Sequence, residues 1–311
     1  MTKHLHRDEN LVLNDCSLKS IYNLSLQSKK VCISGEGDPL ASWKNLYKIL
    51  ENSPKETHFE LITSSYWNKS KTEVLLYDIS KICESSNSTL GYRISIDQFH
   101  ELEIKRDVLR ILIAIFQSNK FKNITLQIRS ITGQEKYLFR RLNDTLMTTN
   151  IDYKIVQINE IEYELQSNKF TIKIQFKPTV NPIEFNYIDS WTIDKYISFL
   201  EESRNSNFHI GLLNSSIINP MFDITINPNG DVVLYGLEPY VLGNITQEVF
   251  DYELIKQKVF ENDILKNIIN IRFIDIINKW RSDNNKAKLI QEVNNPFWIV
   301  RNLYDRKLLD I

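Results

Sequence analysis

Near the start of the chain His4, His6 and Asp8 alternate, and on a strand alternate residues share one face. Two imidazoles on one face can bind zinc when a third or fourth ligand joins them, and Glu9, Cys16 and His100 are the residues that would have to do so. Asp97 and His100, in Asp97-Gln98-Phe99-His100, form a second pair. A carboxylate that orients an imidazole makes a general base, whereas a strand-end aspartate also caps the turn that follows it. A third cluster, Gly35-Glu36-Gly37-Asp38, offers backbone N–H groups and a carboxylate to a ligand amine. Cys16, Cys32 and Cys83 lie in the first third of the chain without CxxC spacing, which reads as a reducing, intracellular compartment rather than a disulfide framework.

These groups need a scaffold, and hydrophobic periodicity supplies one. Strands are expected at 3–8, 31–33, 59–63, 92–96, 124–128 and 153–158, alternating with helices over 18–26, 43–50, 73–83, 108–116 and 137–147. Six strands with helical crossovers predict a parallel sheet, because parallel neighbours need a crossover and the helix also covers the sheet. A doubly wound sheet and a partial TIM-like barrel both satisfy the pattern. Beyond residue 160 the rhythm breaks into strand-like alternation at 160–165 and 170–176 and a helix over 192–202. Asn227-Pro228-Asn229-Gly230 is a turn signal between two short apolar runs and predicts a hairpin, with helices following to the end.

Composition narrows the function classes. With 38 basic and 39 acidic residues the 311-residue chain carries a net charge of −1, so it lacks the basic signature of a nucleic-acid or anionic-membrane binder. Hydrophobic residues make up 42%, enough for a sizeable core. Eight Gly and eight Pro fall below the average usage of about 7% and 5%, which disfavours linkers and Gly-rich phosphate loops. No apolar run reaches the roughly 18 residues of a membrane span, and the polar start lacks the apolar centre of a signal peptide. A cytoplasmic location is the expectation.

Glu9-Asn10-Leu11-Val12-Leu13-Asn14-Asp15-Cys16 resembles the C-N-L-x-C-x-x-C loop of radical S-adenosylmethionine (SAM) enzymes, with Glu9 and Leu13 at the first two cysteine positions. Ile33-Ser34-Gly35-Glu36-Gly37-Asp38-Pro39-Leu40 is similar to that family's S-G-G-G-E-P-L segment, and Ser95-Ile96-Asp97 resembles its S-x-D segment. Ile226-Asn227-Pro228-Asn229-Gly230-Asp231-Val232 with Leu242-Gly243-Asn244-Ile245 is similar to the C-terminal SPASM extension, although Tyr235 stands where that family has a cysteine. The resemblance implies an α/β fold in which residues 1–205 form a partial TIM-like (β/α)6 barrel. Residues 206–311 would form a small hairpin-plus-helices extension. It also implies that Gly35, Glu36, Gly37, Asp38 and Asp97 would line a SAM or other ligand site.

The departures imply a different use. A [4Fe–4S] cluster that binds SAM needs three thiolates on one loop, and this loop keeps one, Cys16. The expectation is a cluster-less radical SAM-like protein acting as a binding or accessory subunit in peptide or protein maturation. Its partners would be a peptide or protein client and a cluster-bearing radical SAM enzyme, with no nucleic acid and no membrane. No cofactor is expected, SAM being the one the site could retain. No metal is expected, His4, His6, Glu9 and Cys16 being the candidates. The alternative is an enzyme with repurposed barrel-mouth chemistry, either a non-radical SAM-dependent transfer or a metal-dependent reaction at His4 and His6. Catalytic candidates are Asp97 and His100.

Overall fold

The computed structural model describes residues 13–28, 30–34, 38–104, 106–118, 121–149, 151–178, 191–216, 218–293 and 295–309. The expected strand at 3–8, with His4, His6 and Glu9, lies outside these, as do Gly35, Glu36 and Gly37. The chain is an α/β protein whose contacts divide it into two compact units, 1–177 and 178–311. The boundary expected at 205/206 coincides instead with the end of a helix inside the second unit.

In the first unit the order is α1 (Asp15–Leu26), β1 (Val31–Ile33), a 3-10 turn (Pro39–Ser42), α2 (Trp43–Glu51), β2 (His58–Thr63), α3 (Lys69–Ser86) and β3 (Thr89–Ser95). Then come α4 (Gln98–Glu103), α5 (Val108–Ser118), β4 (Ile124–Ile131), α6 (Glu135–Thr148), β5 (Tyr153–Gln157), β6 (Glu162–Ser167) and β7 (Thr171–Lys177). Side-chain caps set the helix starts: Asn14 accepts from the Ser17 backbone N–H at 2.8 Å, and Asn68 accepts from that of Lys71 at 2.9 Å.

One seven-stranded sheet runs in the order β1-β2-β3-β4-β7-β6-β5. The first five positions are parallel and the last two pairings antiparallel. The expected sixth parallel strand is therefore corrected: β5 is an antiparallel edge strand, and β7 lies beside β4. The reason is side-chain burial. Ile172, Ile174 and Phe176 of β7 are at most 1% exposed, whereas no residue of β5 is fully buried, so β7 gains more from the interior position.

From β1 to β7 the parallel strands advance without reversal. Right-handed crossovers in one direction put their helices on one face. That face carries Leu61, Tyr92, Ile94, Leu126 and Ile128, all at most 1% exposed, and α5 adds Leu109, Leu112 and Ile113 at 0%. Each such side chain is worth about 1.5–3 kcal/mol on burial. The opposite face alternates with it and is largely polar: Cys32, Glu60, Arg93, Gln127, Arg129, Gln175 and Lys177 lie there, with Ile62 and Ile131 among them.

The second unit contains α7 (Ile193–Arg204), β8 (Ile224–Ile226), β9 (Asp231–Leu234), β10 (Gly243–Asn244), α8 (Tyr252–Glu261), α9 (Asp263–Asn270), α10 (Phe273–Trp280), α11 (Asn284–Val293) and α12 (Pro296–Asp305). The expected hairpin is β8–β9, and β10 adds a third antiparallel strand. Gly230 turns it with φ 90°, where a Cβ would lie 2.8 Å from Asn244 Oδ1. Among the described residues no helix is long and apolar enough to cross a membrane.

Candidate functional site

Asp38 leaves β1 and caps the 3-10 turn through the Leu40 backbone N–H at 2.9 Å. Its carboxylate also accepts from Thr63 Oγ1 at 2.8 Å, from the Ser64 backbone N–H at 2.7 Å and from the Ser64 hydroxyl. The loop after β1 is thus tied to the loop after β2. Both carboxylate oxygens accept these internal donors. Below it Ser65, in the left-handed region at φ 52°, hydrogen-bonds the buried Tyr92 hydroxyl at 2.8 Å. Burial, reinforced by the Asp38 charge, holds that phenol well above its ordinary value.

Asp97 follows β3 on the same strand-end edge. Its Oδ1 accepts the His100 backbone N–H at 3.0 Å, and its Oδ2 meets His100 Nδ1 at 2.6 Å. Cap and dyad, the two readings of this aspartate, are one arrangement. The Asp97 side chain is 5% exposed and that of His100 36%, so the carboxylate is buried while the imidazole reaches solvent. The neighbouring Gln98 backbone N–H donates to Gln134 Oε1 at 2.9 Å, and Gln134, which precedes α6, keeps a buried Nε2 without an acceptor among the described residues. The loops after β3 and β4 are joined there.

The sequence reading missed a third group, on the polar face of the sheet. Glu60 of β2 bridges Lys30 Nζ and Arg93 Nη1, each at 3.1 Å. Arg93 of β3, Arg129 of β4 and Lys177 at the end of β7 then climb diagonally, each two residues beyond the direct partner of the one before. Burial, followed by the Arg129 and Arg93 charges, pulls the Lys177 ammonium down to about 8. Burial and Arg129 also lower Arg93, against the pull of Glu60. Among the described residues the buried Nε atoms of both Arg93 and Arg129 find no acceptor. Each such orphaned donor costs about 1–3 kcal/mol. Gly91 makes room for this face: a Cβ there would lie 2.3 Å from Gln127 Nε2, so the amide can lie across β3. The signal was present in the charges of Phe59-Glu60-Leu61, Tyr92-Arg93-Ile94 and Ile128-Arg129, which interrupt strands that a two-face-covered parallel sheet would keep apolar.

No protein-family model matches the chain, and no curated protein does. Its chemistry rests on the residues themselves.

Leu13, which the sequence resemblance set at a cysteine position, is 7% exposed and lies next to the α1 cap. Cys16 is part-buried in α1, Cys32 is exposed on the polar face, and Cys83 is buried, which pushes its thiol up to about 11. Tyr235, which the sequence resemblance set at a cysteine position, packs its ring on Phe297 with centroids 4.7 Å apart. Phe297 also meets Tyr196 and Phe208, so aromatic packing surrounds that position. Among the described residues no group of three or more His, Cys, Asp or Glu could hold a metal ion. His58 and His209 contact Thr89 Oγ1 at 2.7 Å and the Ile269 carbonyl at 2.9 Å.

Proposed function

We propose that the chain is a cluster-less radical SAM-like binding module, its first unit a partial TIM-like barrel, serving as an accessory subunit in peptide or protein maturation. The carrying observation is Leu13. A buried apolar side chain fills a position at which the family's loop needs a thiolate, so the loop suits packing rather than iron ligation. Strand order without reversal supports the barrel, since a doubly wound sheet reverses at a switch point. The client class follows from the resemblance of 226–232 and 242–245 to SPASM, with Tyr235 in aromatic packing in place of a ligand.

Anaerobic reconstitution with iron and sulfide tests this. The protein should take up no cluster, while Glu9→Cys with Leu13→Cys should build a ligand loop with Cys16. About four irons per wild-type chain would overturn the proposal. Titration with SAM in a calorimeter should be silent.

One contact favours a second reading, an enzyme with repurposed chemistry. The 2.6 Å approach of Asp97 to His100 would place a proton on Nδ1 and leave Nε2 as the basic nitrogen. In that reading His100 is the general base and Asp97 its orienting residue.

A further inference from the structure

We propose that the open edge of β5 binds an extended peptide as an added strand, one that alternates apolar with acidic side chains. The inference rests on the binding-module reading only for the existence of a peptide client; the edge itself follows from strand register. β5 ends the seven-stranded sheet and pairs on one side alone, with β6. The Ile158 backbone N–H donates to the Glu162 carbonyl at 2.8 Å. Alternate residues of an antiparallel strand turn the same way, so Val156 and Lys154 also point their backbone at β6. Tyr153, Ile155 and Gln157 therefore turn theirs outward. Among the described residues none of their backbone N–H and C=O groups is bonded from beyond the sheet. Lys154 and Gln157 are exposed, and Ile158, just past the strand, is 60% exposed, so solvent reaches this edge.

The chemistry of the added strand follows from the two faces it would continue. Tyr153 and Ile155 share the helix-covered face with Leu165 and Ile172. Tyr153 Oη donates to Asn143 Oδ1 at 2.8 Å, and Asn143 Nδ2 lies 3.3 Å from Met147 Sδ, which brings a 71% exposed Met147 of α6 beside the edge. An apolar side chain added there takes Met147 and Ile155 out of water. On the other face stands Lys154, exposed and without an ion-pair partner among the described residues. A carboxylate directly across from it supplies one. Lys154 also decides against a second copy of this chain. Antiparallel pairing about Ile155 would set Lys154 diagonally against its own symmetry mate, and a lysine on an open edge works against such pairing.

Fluorescence anisotropy of the full chain with a labelled, end-capped peptide of alternating valine and glutamate, long enough to span β5, is the test. Saturable binding is expected, weakened tenfold or more by Ile155→Pro, which removes an outward N–H and none of the β6 ladder, with the melting curve recorded. Lys154→Glu, a surface charge reversal, should turn the preference from this peptide to its valine–lysine counterpart. A third readout needs no variant. A strand bonds to an edge through alternate residues, so N-methylation of one alternate set of the peptide should abolish binding and of the other set weaken it far less. Absence of saturable binding, equal loss on methylating either set, or an unchanged preference in a folded Lys154→Glu protein would overturn the proposal. So would a wild-type chain that sediments as a dimer and reverts to monomer in Ile155→Pro, which would give the edge to a second copy. None of these outcomes bears on cluster uptake, which iron reconstitution reads by itself.

Discussion

Asp97 holds His100 twice, one carboxylate oxygen on the backbone N–H at 3.0 Å and the other on the ring Nδ1 at 2.6 Å. The two contacts make opposite demands on a substitute. In Asp97→Asn the single amide oxygen is needed by the backbone N–H, which turns the NH2 towards Nδ1. The imidazole should then switch to the tautomer protonated on Nε2. Long-range nitrogen–proton spectra of the histidine rings read this directly, and an unchanged Nδ1–H signal would contradict the arrangement.

Asp38, expected to line a ligand site, also has a structural load. It accepts from the Leu40 and Ser64 backbone and from the Thr63 and Ser64 hydroxyls. Asp38→Ala leaves those donors without their acceptor and should cost about 1–3 kcal/mol in urea denaturation. A loss below about 0.5 kcal/mol, the level of an ordinary surface change, would count against this bonding.

Lys177 gives a pH signature. Burial with the Arg129 and Arg93 charges brings its ammonium from 10.5 down to about 8. Between these values the unfolded chain holds the proton and the folded chain releases it, so stability rises with pH across that window. The penalty is full below about pH 8 and gone by about pH 10.5. Lys177→Met should therefore melt higher than wild type at pH 7, with the gap closing over that window. Tyr92 and Cys83, pushed upward by burial, act with the opposite sign in both proteins and cancel in the difference. A gap independent of pH would refute the assignment.

Gly230 sits at φ 90° with Asn244 against it, and Asn244 Nδ2 bonds the Asn229 carbonyl at 3.0 Å and Asp231 Oδ1 at 2.9 Å. Gly230→Val strains the backbone and displaces Asn244, which should cost about 1–3 kcal/mol. Thermal denaturation checks it.

In the apolar run of α5, Leu112, Ile113 and Ile115 are fully buried while Ile111 is part-exposed. Alanine at Leu112 or Ile113 should cost about 2–5 kcal/mol and at Ile111 clearly less, because the cavity term requires full enclosure. Equal losses at all three would mean that the helix face is misassigned.

Local periodicity and turn chemistry were enough to read most elements from sequence alone. Val31–Ile33, Trp43–Glu51 and the hairpin at Asn229-Gly230 are encoded by neighbours a few residues apart. The Asp97–His100 pair was legible for the same reason, its members being three residues apart on one turn. Two features were decided by the tertiary structure. Whether Tyr153–Gln157 or Thr171–Lys177 lies beside β4 depends on which strand can bury a full apolar row, a competition between segments that no window of either one contains. Glu60, Arg93, Arg129 and Lys177 come from four strands spread over more than a hundred residues, and only parallel register, stepping two residues per strand, gathers them into one row. Sequence spacing records what a helix or turn brings together; a sheet joins residues through register, which is set by the burial of the whole opposite face.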